Sequence, residues 1–131
     1  MTIALVKEAI EARSFAYAPY SRFSVGAAVQ TAKNHIYTGC NIENASYSLT
    51  NCAERLAIFK AVSEGEQKID KLAVVADTLE PVTPCGACRQ VMAEFMPPDG
   101  MVYLANINGN VMTITVKELL PGAFQAEDFK R

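Results

Sequence analysis

Three thiols and one carboxylate are the residues of this chain whose types and spacing could do chemistry. They lie in two short stretches, Asn51-Cys52-Ala53-Glu54-Arg55 and Pro84-Cys85-Gly86-Ala87-Cys88-Arg89-Gln90, each placed where a helix should begin. Cys85 and Cys88 are three apart, so a first helical turn sets both sulfurs on one side. Zinc is held tetrahedrally by sulfur or nitrogen, and a catalytic zinc keeps one position open for water. Cys52 is the third candidate ligand. It stands 33 positions before Cys85, room for a helix, a strand and a loop, so two helix N-termini can point at one spot. Three thiolates outweigh the charge of one Zn²⁺ and would make its water less acidic. Two helix N-termini, at roughly +0.5 charge each, oppose that, and their free amides can hydrogen-bond the sulfurs. Arg55 lies three residues after Cys52 on the same face and is expected to soften the thiolate charge. Glu54, two residues from Cys52, can lean over the same helix end and move protons beside the metal.

The elements that must position these groups follow from periodicity and breakers. Thr2 is a plausible cap for a first helix with Ile3, Val6, Ile10, Arg13 and Tyr17 on one face, ended by Pro19. Phe23 to Thr31 reads as a buried strand. Lys33-Asn34 turns the chain, and His35 to Cys40 returns as its antiparallel partner. Asn41 to Thr50 is dense in polar groups without periodicity, as a functional loop would be. Thr50 or Asn51 caps a helix reaching about Glu64, with Gly65 just past its end. Leu72 to Ala76 is a strand covered on both faces. A third helix runs roughly from Cys85 to Met96. Met101 to Ala105 and Val111 to Thr115 are strands joined through Asn108-Gly109-Asn110, and Val116 to Leu120 adds a helical turn. The order α-β-β-α-β-α-β-β implies an α/β fold, a three-layer α/β/α sandwich on a mixed sheet of about five strands.

At 131 residues the chain is expected to form one domain, residues 1–131, and half of its residues are hydrophobic. A net charge of −2 and a pI near 5.4 show no basic face for a polynucleotide, which favours a small-molecule substrate. Lys7, Glu8 and Glu11 interrupt any apolar leader, and no apolar run approaches a membrane span. A reducing cytoplasm is the expected compartment, where thiols more often serve metal or catalysis than disulfides. Cys40 is read as filling a strand end. His35, the only histidine, is read as a surface residue with no nucleophile motif around it. Glu64, Glu66, Lys68, Asp70 and Lys71 read as a solvated connection, and Phe15, Tyr17 and Phe59 as core.

The pairing of Cys-x-Glu with Pro-Cys-x-x-Cys matches the signature of zinc deaminases, in the form with three cysteines. More of the chain resembles one group of them, the homotetrameric cytidine deaminases. The matching segments are Tyr20-Ser21-Arg22-Phe23-Ser24-Val25-Gly26-Ala27-Ala28, Gly39-Cys40-Asn41-Ile42-Glu43-Asn44-Ala45-Ser46-Tyr47, the two cysteine stretches, and Glu118-Leu119-Leu120-Pro121-Gly122-Ala123-Phe124. The resemblance implies a hydrolase that deaminates free cytidine and deoxycytidine in pyrimidine salvage, with no nucleic-acid or membrane partner. It implies one zinc per subunit held by Cys52, Cys85 and Cys88, with Glu54 shuttling protons. It further implies that Asn41 and Glu43 bond the ribose hydroxyls, the Ala53 N–H holds the pyrimidine carbonyl, the Thr83 carbonyl accepts from the amine and Phe23 packs on the base. Phe124 would reach a neighbouring subunit's site. Tyr47 would shape the site or an interface.

Two readings of another class compete. A thiol–disulfide oxidoreductase would use Cys85 and Cys88 alone and leave Cys52, Glu54, Asn41 and Glu43 without a task. A structural zinc site would recruit Cys40 as a fourth ligand and hold no water. A deaminase of a different nucleoside analogue is a further alternative.

Overall fold

The computed structural model describes residues 3–129. Its centre is one five-stranded sheet of order β2-β1-β3-β4-β5, built from β1 (Val25–Thr31), β2 (Ile36–Cys40), β3 (Ile69–Ala76), β4 (Met101–Asn106) and β5 (Val111–Thr115). β1 runs antiparallel to both β2 and β3, β4 and β5 are antiparallel, and only β3 and β4 are parallel. The expected mixed sheet of five strands is therefore present.

Helix α1 (Ala4–Arg13) covers one face, and α2 (Ala53–Ser63) and α3 (Gly86–Phe95) cover the other. The alternation within β3 shows why. Ala73 and Val75 point to the α1 side with Ala28 and Ala105, whereas Leu72 and Val74 pack with Ala57, Ile58, Met92 and Leu104 on the other. A strand buried on both faces reads as an unbroken apolar run, as this one does. Two strand glycines let the helices come close. A Cβ on Gly26 would lie 2.0 Å from the Ala9 carbonyl oxygen of α1, and one on Gly39 would lie 2.5 Å from the Ala53 oxygen of α2. A short helix, α4 (Val116–Leu119), starts with a reciprocal Thr115–Glu118 capping box.

Several sequence expectations need correction. The expected Thr2 cap lies outside the described residues. α1 ends at Arg13, so Tyr17 is not on it. Instead the Tyr17 N–H donates to the Asn41 oxygen at 2.9 Å and its carbonyl accepts from the Glu43 N–H at 2.8 Å. β1 begins at Val25 because Phe23 belongs to the preceding turn. α2 is capped by neither Thr50 nor Asn51. Asn51 is engaged in a two-bond bridge with Ile42, which leaves Cys52 at the cap position.

Phe15 and Tyr17 are exposed, since both lie past the end of α1, and Phe59 is exposed because the buried stripe of α2 runs through Ala53, Ala57, Ile58 and Ala61. Glu66 is not part of a solvated connection. It is 8% exposed and accepts hydrogen bonds from Thr31 Oγ1 (2.6 Å), His35 Nδ1 (2.8 Å) and the Tyr37 hydroxyl (2.5 Å). His35 is largely exposed but bound at its ring nitrogen, so it pins the β1–β2 turn to the end of α2.

Candidate active site

Cys52 and Cys85 are the N-cap residues of α2 and α3, both with extended backbone (φ −73° and −69°). Neither sulfur accepts a bond from a backbone N–H of its own helix, so the expected amide-to-sulfur bonds at the caps are absent. The sulfurs face each other instead. Cys52 Sγ lies 3.9 Å from Cys85 Sγ, Cys85 Sγ lies 3.4 Å from Cys88 Sγ, and all three fall within 4.8 Å of one another. Tetrahedral zinc with Zn–S of about 2.3 Å separates its sulfurs by about 3.8 Å, so the observed triangle has the right size for one ion. Cys40 is buried at the end of β2 and is not part of this cluster, where burial pushes its thiol above the ordinary value.

The electrostatics are those of a cation site. Cys52 is pulled down to about 5, first by the Cys88 thiol and then, against burial, by Arg55. Cys88 is correspondingly pushed up, so the pair shares a proton that a metal would displace. Arg55 Nη2 donates to Cys52 Sγ at 3.4 Å, in the place expected for it, and its buried Nε has no partner among the described residues. Glu54 follows on the first turn of α2 and is 5% exposed. Burial raises its carboxyl to about 7; the charge of Cys52 adds to the rise, and a bond from its own backbone N–H opposes it. A carboxyl that titrates near neutrality can both take up and release protons at working pH.

One cavity of about 310 Å³ opens beside these groups. Phe23, Asn41, Glu43, Cys52, Ala53, Glu54 and Thr83 line it, with Tyr47 at its rim. Six of the expected substrate and catalytic residues are thus brought together. Phe124 is not. It is exposed, packs edge-on against Phe129 with ring centroids 5.3 Å apart, and takes a bond from Gln90 Nε2 to its carbonyl oxygen (2.8 Å). Sequence reasoning missed the apolar walls Val25, Val74 and Val82, which read only as strand or loop residues, and it missed Ser21. A serine two residues before an aromatic in a tight turn was the available signal for Ser21.

Comparison with known proteins agrees with this geometry. Residues 2–105 match the family model described as the cytidine and deoxycytidylate deaminase zinc-binding region. A cytidine deaminase of Halalkalibacterium halodurans is 64% identical over 124 residues, spanning 95% of this chain and 94% of that protein. The chain belongs to the cytidine deaminase family. A second member, from Sporosarcina psychrophila, is 58% identical over 95% of this chain and 91% of its own length. The crystal structure of the cytidine deaminase from Burkholderia pseudomallei superposes with a TM-score of 0.90 at 50% identity, covering 92% of this chain and 97% of that one. The oxidoreductase reading uses Cys85 and Cys88 alone and leaves Cys52, which stands with them, and the neighbouring Glu54 without a task. Among the described residues no helix is long and apolar enough to cross a membrane.

Proposed function

We propose that the protein hydrolyses cytidine and deoxycytidine to uridine and deoxyuridine, releasing ammonia. The observation that carries this reading is one cavity lined by a buried carboxyl, by Cys52 of the three-thiol cluster and by a polar sugar-sized pair, Asn41 and Glu43. Cys52, Cys85 and Cys88 would hold one zinc, which when bound supplies the Lewis acidity that makes water a competent nucleophile near neutral pH.

The chain's own groups do the rest. The base lies against Phe23 with its carbonyl on the Ala53 N–H and its exocyclic amine on the Thr83 carbonyl. Glu54 takes a proton from the attacking water and delivers it to ring N3 as the new C4–O bond forms. It then takes the proton of the new C4 hydroxyl and passes it to the amine as the C4–O bond becomes a carbonyl and the C4–N bond breaks, and ammonia leaves. Burial raises the carboxyl into the range where both transfers are feasible. Arg55 draws charge from Cys52 and so limits the electron density that three thiolates place on the metal. Asn41 and Glu43 bond the sugar hydroxyls.

A homotetramer in which Phe124 reaches a neighbour's site is the assembly that suits this chain. Large apolar side chains lie exposed at Tyr47, which lines the cavity, and at Tyr20, Ile42 and Leu49, each next in the chain to a residue that lines it, a surface that association would cover. We take the chain as one deaminase domain, residues 1–131, acting on free nucleosides in the cytoplasm in pyrimidine salvage. The net charge of −2 argues against phosphate-rich substrates and nucleic acid. The deciding test is the loss of cytidine absorbance with zinc-loaded protein, with and without a chelator. Conversion that stops on chelation and returns with zinc is expected. No conversion by zinc-replete protein overturns the reading.

A further inference from the structure

We infer that Ser21 is a positioning residue that leaves one Glu43 oxygen open for a sugar hydroxyl and ties that oxygen to the backbone of Phe23. This rests on the proposed function and adds to it a role for a residue that the sequence reading left without one. Glu43 is 5% exposed, yet most of its hydrogen-bonding capacity is already committed. Its Oε1 accepts from the N–H groups of Tyr20 (3.0 Å) and Ser21 (3.1 Å), which fills both lone pairs. Its Oε2 accepts only from the Ser21 hydroxyl, which leaves one lone pair for a ligand.

The same Ser21 oxygen accepts the Phe23 N–H at 3.0 Å. Its hydroxyl therefore joins the carboxylate that faces the sugar to the residue placed against the base. The turn that makes this possible passes through Arg22 at φ 58°, a left-handed conformation that a residue with a Cβ adopts only when its surroundings impose it. Asn41 closes the unit from the other side, with Oδ1 accepting from the Val25 N–H (2.9 Å) and Nδ2 donating to the Phe23 oxygen (2.7 Å). Ser21 itself lines the cavity.

Without the Ser21 hydroxyl, Oε2 loses its only internal partner. The carboxylate can then rotate about its last torsion, and Phe23 loses the bond that holds its N–H. Phe23 is still held through its carbonyl oxygen by Asn41 Nδ2, so the cost should fall on substrates that use Glu43 and largely spare those that cannot. The test compares zinc-loaded parent, Ser21→Ala and Ser21→Thr on cytidine and on 2′,3′-dideoxycytidine, which lacks both ring hydroxyls.

Ser21→Ala is expected to raise KM for cytidine about tenfold, the scale of one hydrogen bond to a charged group, with a smaller change in kcat. It should leave KM for the dideoxynucleoside within about twofold of the parent's, and Ser21→Thr should restore most of the cytidine affinity. Equal losses on both substrates, or none on either, overturn the role of Ser21. The parent enzyme separates this from the underlying reading. If it binds both nucleosides alike, Glu43 does not read the sugar, and if it converts neither, the deaminase assignment falls and this inference with it.

Discussion

Gly39→Ala should damage catalysis from a position outside the cavity lining. Gly39 is in β2 directly under the first turns of α2, and a Cβ built on it would stand 2.5 Å from the Ala53 carbonyl oxygen, 2.6 Å from the Ala57 nitrogen and 3.1 Å from Leu56 Cβ. Two of these three atoms are backbone, so no side-chain rotation relieves the clash. Restoring ordinary contact at about 3.4 Å requires α2 to lift by roughly 0.9 Å at its N-terminal end. That end carries Cys52 as its cap and Glu54 in its first turn. A misplacement of about 1 Å can cost on the order of 10²-fold in rate when reacting groups must be aligned. The overpacking itself costs about 1–3 kcal/mol of stability. The assay is kcat/KM for cytidine together with zinc content and Tm. Gly65→Ala is the control. Gly65 sits past the other end of α2 at φ +88° with open space around it, so alanine there strains the backbone without moving the helix start. A loss of about a hundredfold in kcat/KM for Gly39→Ala, with near-parental activity for Gly65→Ala, is expected. Full activity and zinc content in Gly39→Ala would refute the idea that α2 is seated by backbone contact on β2.

Glu54→Gln keeps the shape of the side chain but cannot exchange protons; it should retain zinc and lose about 10²–10⁴-fold in kcat, read by single-substrate kinetics beside metal analysis. Arg55→Ala removes the donor at 3.4 Å from Cys52 Sγ and should lower kcat and alter zinc affinity, measured by competition with a chromophoric chelator. Glu66 is held down at about 2 by Thr31, Tyr37 and His35, so its bonds stabilise the fold fully above its unfolded value near 4.5 and are lost as pH falls from there toward 2. The Tm gap between the parent and Glu66→Gln should therefore be greatest at neutral pH and close across that acid window.

What the sequence made legible were features that depend on neighbours along the chain. The Cys85/Cys88 spacing, the apolar run of β3 and the Asn108-Gly109-Asn110 turn each carry their reason within a few residues, and each is found where expected. Meeting Cys52 required the whole topology, yet it too was accessible, because two helix starts with thiols beside them have few ways to be useful apart. The misreadings have a common physical origin in pairing between distant segments. Asn51 looked like a helix cap, a local role, but the backbone of Ile42 claims it. Glu66 looked solvated among charged neighbours, but Thr31, His35 and Tyr37 arrive from the other side of the hairpin to bury it. Phe15 and Phe59 looked like core because aromatic residues usually are, but a face lined by Ala28, Ala73 and Ala105 and a helix seated on glycine leave no space beneath for them. The small residues that bring α1 and α2 close to the sheet are therefore also a reason that large ones remain outside. The same close seating of α2 on Gly39 fixes the helix start that brings Cys52 within 3.9 Å of Cys85 at the start of α3, so the small residues of the sheet and the meeting of the thiols share one packing cause.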